Sequence, residues 1–272
     1  MKKYHLLLFL VFTLFSCSNN EESISSSSIL LQKVVFYRNA PNENHWNFNN
    51  NGLLDNISKP DGTLIEKFIY DANNNVIQDD KYDNGILNMT YNIIYNSNNI
   101  ITKINNVDYN YNASENKYYY TNGTQIFNCQ LNNDKLVTNY SLIDNNPSGT
   151  VEDTYQMVYV NDNMTSFQKT TNSVITTLKG FSYGNTIENP IRSGSLAVLK
   201  LKSLIEPDFF SNGVSSKLPI ETSDFGSSNP ITYNYGWLFT PDEKRISMQM
   251  IEVFNGSTMI NSFVYADYFY SN

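Results

Sequence analysis

From Leu30 onward, short runs of alternating apolar and polar residues are cut again and again by clusters of Asn, Asp and Gly. Alternation with period two turns one side of each run toward a core and the other toward water. Asn and Asp tolerate the positive φ of tight turns, so the pattern specifies antiparallel strands joined as hairpins. One unit recurs, in which an apolar or aromatic residue leads into an Asn/Asp-rich turn and then an apolar strand start. It is clear at Phe48-Asn49-Asn50-Asn51-Gly52-Leu53-Leu54, Tyr70-Asp71-Ala72-Asn73-Asn74-Asn75-Val76-Ile77 and Tyr95-Asn96-Ser97-Asn98-Asn99-Ile100-Ile101. Weaker copies begin at Tyr111, Leu131, Val160 and Phe239. The steps between copies vary, which makes this a degenerate hairpin repeat rather than a strict solenoid.

The β pattern breaks once, over residues 195–205. Ala197, Leu201, Leu204 and Ile205 share a broad apolar face, Ser193 or Ser195 is placed to cap the start, and Pro207 prevents continuation, so the segment predicts a helix. Pro190 before it and Phe209-Phe210-Ser211-Asn212 after it extend the interruption to about 189–228. Strand patterning then resumes through Ile231 to Tyr270. The expected fold is a single, mainly β domain over 30–272, an antiparallel hairpin meander forming a curved sheet or half-open barrel with the 195–205 helix on its concave face. Leu201 is expected to point into the sheet and Lys202, one position on, to be solvated.

Composition excludes more chemistry than it suggests. The chain of 272 residues carries a formal charge of -8, which argues against nucleic acid and anionic membrane surfaces as partners. With 20 Tyr and 16 Phe but only 16% charged residues, it is built for pleated, half-buried surfaces. Beyond His5 near the start the only histidine is His45, so no His-pair metal site can form and any histidine-dependent catalysis rests on one residue. No cofactor is indicated.

The motifs that remain read as structure. Asp71-Ala72-Asn73-Asn74-Asn75 opens like a calcium loop, but Val76 stands where the loop glycine belongs and Tyr82 where the bidentate acid belongs, leaving a hairpin turn. Arg192-Ser193-Gly194-Ser195 lacks the nucleophile elbow of a serine hydrolase. The adjacent acids Asp79-Asp80, Glu152-Asp153 and Asp242-Glu243 point to opposite faces of a strand and make no dyad; solvated turns are the expected place for them. The expectation is a protein that is not an enzyme. Trp46 and Trp237, the only tryptophans, are the candidates for stacking on a sugar ring.

Ahead of the strands, Lys2 and Lys3 are followed by an apolar run from about Leu6 to Phe15, too short to span a bilayer, and then by Ser16-Cys17. This resembles a bacterial lipoprotein signal, with 1–16 as the signal peptide, and the resemblance implies lipid on Cys17 as the mature N-terminus. Residues 17–29, polar and serine-rich, read as a flexible tether. Cys129 is then left without an intrachain partner. Loss of Lys2 and Lys3 with the signal takes the charge from -8 to -10.

Phe68-Ile69-Tyr70-Asp71 resembles the Tyr-Asp hairpin repeats of bacterial cell-surface proteins. Taken with Asn189-Pro190, the apolar segment Leu196 to Ile205 and Phe209-Phe210-Ser211-Asn212, the chain resembles a family of Bacteroidetes surface lipoproteins. That resemblance implies outer-membrane localisation, with Cys17-Ser18-Asn19-Asn20-Glu21-Glu22 as an acidic surface-export signal carried by Glu21 and Glu22. The expected function is a non-catalytic, lipid-anchored surface protein that binds a glycan, a peptide or an envelope partner. The alternative is a carrier that encloses an apolar cargo such as lipid. An apolar cavity inside the sheet would favour the carrier, and a filled interior the binding protein.

Overall fold

The computed structural model describes residues 29–122, 125–146, 149–171, 173–205, 215–225, 229–242 and 245–271. The chain begins with β1 (Leu31–Phe36), β2 (Asn44–Phe48), β3 (Leu54–Ser58), β4 (Leu64–Tyr70) and β5 (Val76–Asp83). Next come β6 (Ile86–Tyr95), β7 (Ile101–Ile104), β8 (Val107–Asp108), β9 (Asn110–Asn112) and β10 (Lys117–Asn122). β11 (Gln125–Leu131), β12 (Val137–Asn146), β13 (Gly149–Val160), β14 (Asn163–Thr171) and β15 (Val174–Glu188) lead to the helix α1 (Arg192–Ile205). β16 (Lys217–Asp224), β17 (Ile231–Phe239), β18 (Ile246–Asn255) and β19 (Thr258–Tyr270) complete the chain.

Consecutive strands pair antiparallel and β19 returns to pair with β1, so the 19 strands make one barrel-shaped sheet. One seam stays unsealed. There β8 pairs with β7 and β9 with β10, and between them the Tyr109 N–H donates to Thr102 O at 2.9 Å. The curved sheet or half-open barrel expected from the sequence is thus what the chain forms, nearly closed and open at this one seam. The interruption is shorter than expected, because β16 resumes pairing at Lys217.

Alternation along the strands sends polar residues out. Phe48 meets Gly194 of α1 inside the barrel, so its neighbour Asn47 faces outward and heads a cross-strand row of Asn56, Lys67, Asp80 and Thr90. Lys117, Gln130, Asn139, Gln156 and Gln168 form a second such row, and Ser182, Glu221, Asn234, Glu252 and Ser262 a third. Exposed apolar side chains on the wall of β17 to β19 include Leu238, Met250 and Phe269.

The inward rows are aromatic and aliphatic. Tyr109, Tyr120, Phe127, Tyr140, Tyr155 and Phe167 form a continuous run of ring contacts, with centroid separations between 4.2 and 5.9 Å. Across the barrel, Phe36, Tyr37, Tyr235 and Tyr265 make a second cluster. Between these walls lies α1, packed against β3, β5 and β12.

The helix starts three residues before the expected position and by a different device. Asn189 Oδ1 accepts from the Ile191 N–H at 3.1 Å and Asn189 O from the Arg192 N–H at 3.3 Å. Ser195 is no cap, since its hydroxyl donates back to Ile191 O at 2.8 Å. At the other end Tyr120 Oη donates to Leu204 O at 3.0 Å, satisfying a carbonyl that the helix leaves open. Leu201 is fully buried, as its spacing predicts. Lys202 is also buried, at 1% exposure, against the expectation of a solvated side chain. The face of α1 that carries Lys202 is turned to the inside of the barrel wall at β4 and β5, and a lysine there needs buried partners.

Candidate functional site

Each hairpin reverses the chain between the two ends of the barrel, while β8 runs on through Tyr109 into β9 without reversing, so every copy of the sequence repeat falls at one end. The connections there include 49–53, 71–75, 96–100, 132–136, 161–162 and 240–245. The turns at 49–53, 71–75, 96–100 and 132–136 are built alike. The first residue of each, Asn49, Asp71, Asn96 or Asn132, donates its N–H to the carbonyl four residues on and accepts from the N–H three residues on. Its side-chain oxygen also accepts backbone N–H groups within the turn. The fourth residue is left-handed, with φ of 74° at Gly52, 62° at Asn74, 57° at Asn99 and 64° at Lys135. Those backbone demands explain why the unit is rich in Asn and Gly.

The aromatic residue that precedes a turn has its own task. Tyr70 Oη donates to Leu54 O at 2.5 Å, and Tyr95 Oη to Val76 O at 3.0 Å. Each carbonyl lies where its strand runs past the pairing with the next, which starts at Asn56 on β3 and at Gln78 on β5. Tyr118 Oη performs the complementary service, accepting the Ile101 N–H at 3.0 Å. These hydroxyls close the sheet where the strands splay at the rim.

α1 enters the barrel through this end and leaves a cleft on either side of its first turns. One, of about 560 Å³, lies between the chain start at Ile29 to Leu31, the 188–193 segment and Phe239, Arg245 and Tyr270. The other, of about 470 Å³, lies between α1 and the Asn-rich turns. Leu53, Leu196, Ala197 and Leu204 line its apolar side; Asn73, Asn74, Asn75, Asn98 and Asn99 form its rim, with Tyr95, Tyr118, Lys135 and Lys200 completing it.

Charge at the second cleft runs against the sign of the whole chain. Arg192 is paired with Asp134 and also donates to Asp162 O at 3.3 Å. Lys135 donates to Tyr111 Oη at 2.6 Å and Asn116 Oδ1 at 2.7 Å. The ammonium of Lys200, half-buried on α1, has no hydrogen-bond or ion-pair partner among the described residues, although the Lys200 carbonyl accepts from the Ser203 hydroxyl at 2.9 Å. Burial lowers its pKa, and the nearby Lys135 and Arg192 add to that while Asp134 opposes it.

A separate cluster lies deeper in the barrel. Lys202 Nζ donates to Asp79 Oδ2 at 2.9 Å and to Glu66 Oε1, and sits 5.6 Å from the Phe68 ring centroid. Burial, with a smaller contribution from Asp79, pushes Glu66 up to about 7 against the pull of Lys202. None of the three residues lines either cleft at the turn-built end. The cluster therefore locks α1 to β4 and β5 and is out of reach of a ligand bound at the rim.

The residues singled out by the sequence fare differently. Cys17, Glu21 and Glu22 lie outside the described residues. Both tryptophans turn inward instead of standing out in solvent. Trp237 lies opposite Gln249, and its indole N–H is buried without a partner among the described residues. Trp46 packs edge-on against Phe36 at 5.3 Å, although one side of it lines a shallow cleft at the opposite end of the barrel. His45 is held by Glu43 at 2.7 Å. Cys129 is buried, and burial pushes its thiol up to about 12, which makes it a poor nucleophile. Asp79 and Asp80 do point to opposite faces, but they sit within β5 and both are buried rather than solvated. Asp80 is held from outside by Gln78 at 2.9 Å and Thr90 at 2.6 Å. The side chains of Glu152 and Asp153, and Glu243 as a whole, lie outside the described residues.

Lys200 and Lys202 were both missed by sequence reasoning. Lysine on a helix next to apolar residues carries no local sign of whether its environment is water, a cleft or a core.

No family model and no curated protein matches the chain. Among solved structures, the chain is similar to a porin-like protein from Bacteroides uniformis ATCC 8492, with 10% identity and a TM-score of 0.37, covering 89% of this chain and 98% of that one. It is also similar to a porin-like protein from Bacteroides vulgatus ATCC 8482, with 11% identity and a TM-score of 0.36, covering 89% of this chain and 99% of that one.

Proposed function

We propose that the protein is a non-catalytic outer-membrane lipoprotein, anchored by lipid on Cys17 and displayed at the cell surface through Glu21 and Glu22, that binds an extracellular ligand at the turn-built end of its barrel. The observation that carries the reading is a barrel filled within and open at one end. The described interior is occupied by α1 and two aromatic clusters, and the clefts beside α1 open between the turns. A carrier of apolar cargo would need an apolar chamber in the space that the rings and α1 occupy. The outward rows of Asn, Gln, Ser, Thr and charged residues interrupt the exposed apolar side chains of the wall and support a lipid anchor over insertion, because a bilayer-spanning barrel presents a continuous apolar band to lipid.

Fractionation of cells expressing Cys17→Ala is the direct test. The variant is expected either to leave the membrane on carbonate washing or to keep its signal uncleaved, whereas retention after signal cleavage would mean that the wall itself is embedded. Replacing Glu21 and Glu22 with Ala should leave the protein lipidated but shielded from protease added to whole cells. Unchanged cleavage would remove surface display from the reading.

A further inference from the structure

We infer that the cleft between α1 and the Asn-rich turns binds a saccharide bearing a carboxylate, with Lys200 as the charge partner of the acid. The inference rests on the turn-built end being the ligand site.

Charge points to it first. Two cations and no acid line this cleft in a chain of net charge -8, and one of them, Lys135, is occupied by Tyr111 and Asn116. Lys200 is the cation left over. Its half-buried position in the cleft weakens its hold on the proton although Asp134 lies nearby, and its ammonium makes no hydrogen bond or ion pair with the described residues in return. An anion bound there would relieve that arrangement, since it would add a charge-assisted hydrogen bond in a partly desolvated site.

The remainder of the cleft selects what kind of anion. Asn74 and Asn98 present side-chain amides that have no protein partner among the described residues, and each amide offers a donor and an acceptor together, as a sugar hydroxyl requires. The hydroxyls of Tyr95 and Tyr118 are already engaged with backbone groups, so those side chains contribute their rings to the wall. A fatty acid would match the ammonium but would leave the amides of Asn74 and Asn98 without partners. Inorganic phosphate would leave the amide rim unused.

The test is calorimetric titration of the full-length protein in detergent with trigalacturonic acid and with its methyl ester. The acid is expected to bind and the ester to bind at least about tenfold more weakly, the usual size of a charge-assisted hydrogen bond. Lys200→Gln should abolish the difference between acid and ester without lowering the melting temperature, and Lys33→Gln on the outer wall should leave it intact. Equal binding of acid and ester, or acid binding unchanged in Lys200→Gln, overturns the role of Lys200; if Asn74→Ala then weakens both ligands, the turn-built end survives as the ligand site. Displacement of the acid by inorganic phosphate at equal concentration overturns the saccharide. Binding of neither ligand overturns the inference, and where the protein is also released by Cys17→Ala the lipid-anchor reading stands without it.

Discussion

Lys202 Nζ donates to Asp79 Oδ2 at 2.9 Å although 123 residues separate them in the chain. The bond ties the second half of α1 to β5, and Glu66 on β4 completes the cluster from 136 residues away. One ammonium facing two carboxylates in a closed interior is a fixed arrangement whose members cannot be removed singly at low cost.

Lys202→Met should therefore destabilise the protein by about 3–5 kcal/mol, because it strands buried carboxylates. Leu201→Asp should cost a similar several kcal/mol by burying a new one. Urea unfolding followed by the fluorescence of the inward-facing Trp46 and Trp237 measures both. Combining Lys202→Met with Glu66→Gln and Asp79→Asn removes every charge and should recover most of the loss. A mild effect of Lys202→Met alone would show that the cluster is hydrated and that α1 is held by apolar packing only.

Glu66 also gives the stability a dependence on pH. Its folded-state pKa, about 7, is above the ordinary 4.5, mainly because it is buried. Below 4.5 both folded and unfolded states hold the proton. Between 4.5 and about 7 only the folded state holds it, so stability falls as pH rises through that window. Relative to Glu66→Gln, which cannot titrate, the natural protein should lose on the order of 3 kcal/mol at most between pH 4 and pH 8. Parallel stability profiles for the two would mean that Glu66 titrates as an ordinary carboxylate.

Much of this fold is legible because its turns are local. Asn49, Asp71 and Asn96 bond the backbone of their own turns, and the left-handed residues at Gly52, Asn74 and Asn99 are those that tolerate positive φ. The apolar spacing of Leu201 and Leu204 likewise marks α1. What remains hidden is whatever depends on closure. Two-period alternation does not reveal whether the sheet ends in an edge or returns to β1, and without that, Lys202 reads as solvated and Trp237 as exposed. The candidate site was half legible. The Asn-rich turns stand out, but the fact that all of them share one end with α1 and Lys200 comes from counting connections around a closed barrel.

Gly194 marks where α1 passes closest to the wall. A Cβ built there would lie 2.1 Å from Gly52 O and 2.9 Å from Cδ1 of Phe48. Gly194→Ala should cost about 1–3 kcal/mol through displacement of the helix, even though alanine is the better helix former by about 1 kcal/mol. Gly236 on β17 has nothing within 4 Å of the same built atom. Gly236→Ala should accordingly be neutral within about 0.5 kcal/mol, or slightly stabilising. If thermal melts rank the two variants the other way, α1 does not enter beside the 49–53 turn.

Tyr95 tests the rim itself. Its hydroxyl supplies Val76 O, a carbonyl on a fully buried residue at the point where β5 runs beyond its pairing with β6. Tyr95→Phe keeps the ring that walls the second cleft and removes only that donor, so the carbonyl is left to a poorly hydrated site at a cost of about 1–2 kcal/mol. Tyr119 provides the contrast, because its hydroxyl donates to the exposed Glu115 and water can replace that bond. Tyr119→Phe should therefore stay within about 0.5 kcal/mol of the natural protein. The rim should also loosen locally in Tyr95→Phe, with faster amide exchange at Val76 and across the 96–100 turn than in Tyr119→Phe. Equal stability and equal exchange in the two variants would mean that the strands hold their splay without the tyrosines, and that the aromatic residue before each turn is kept for its ring alone.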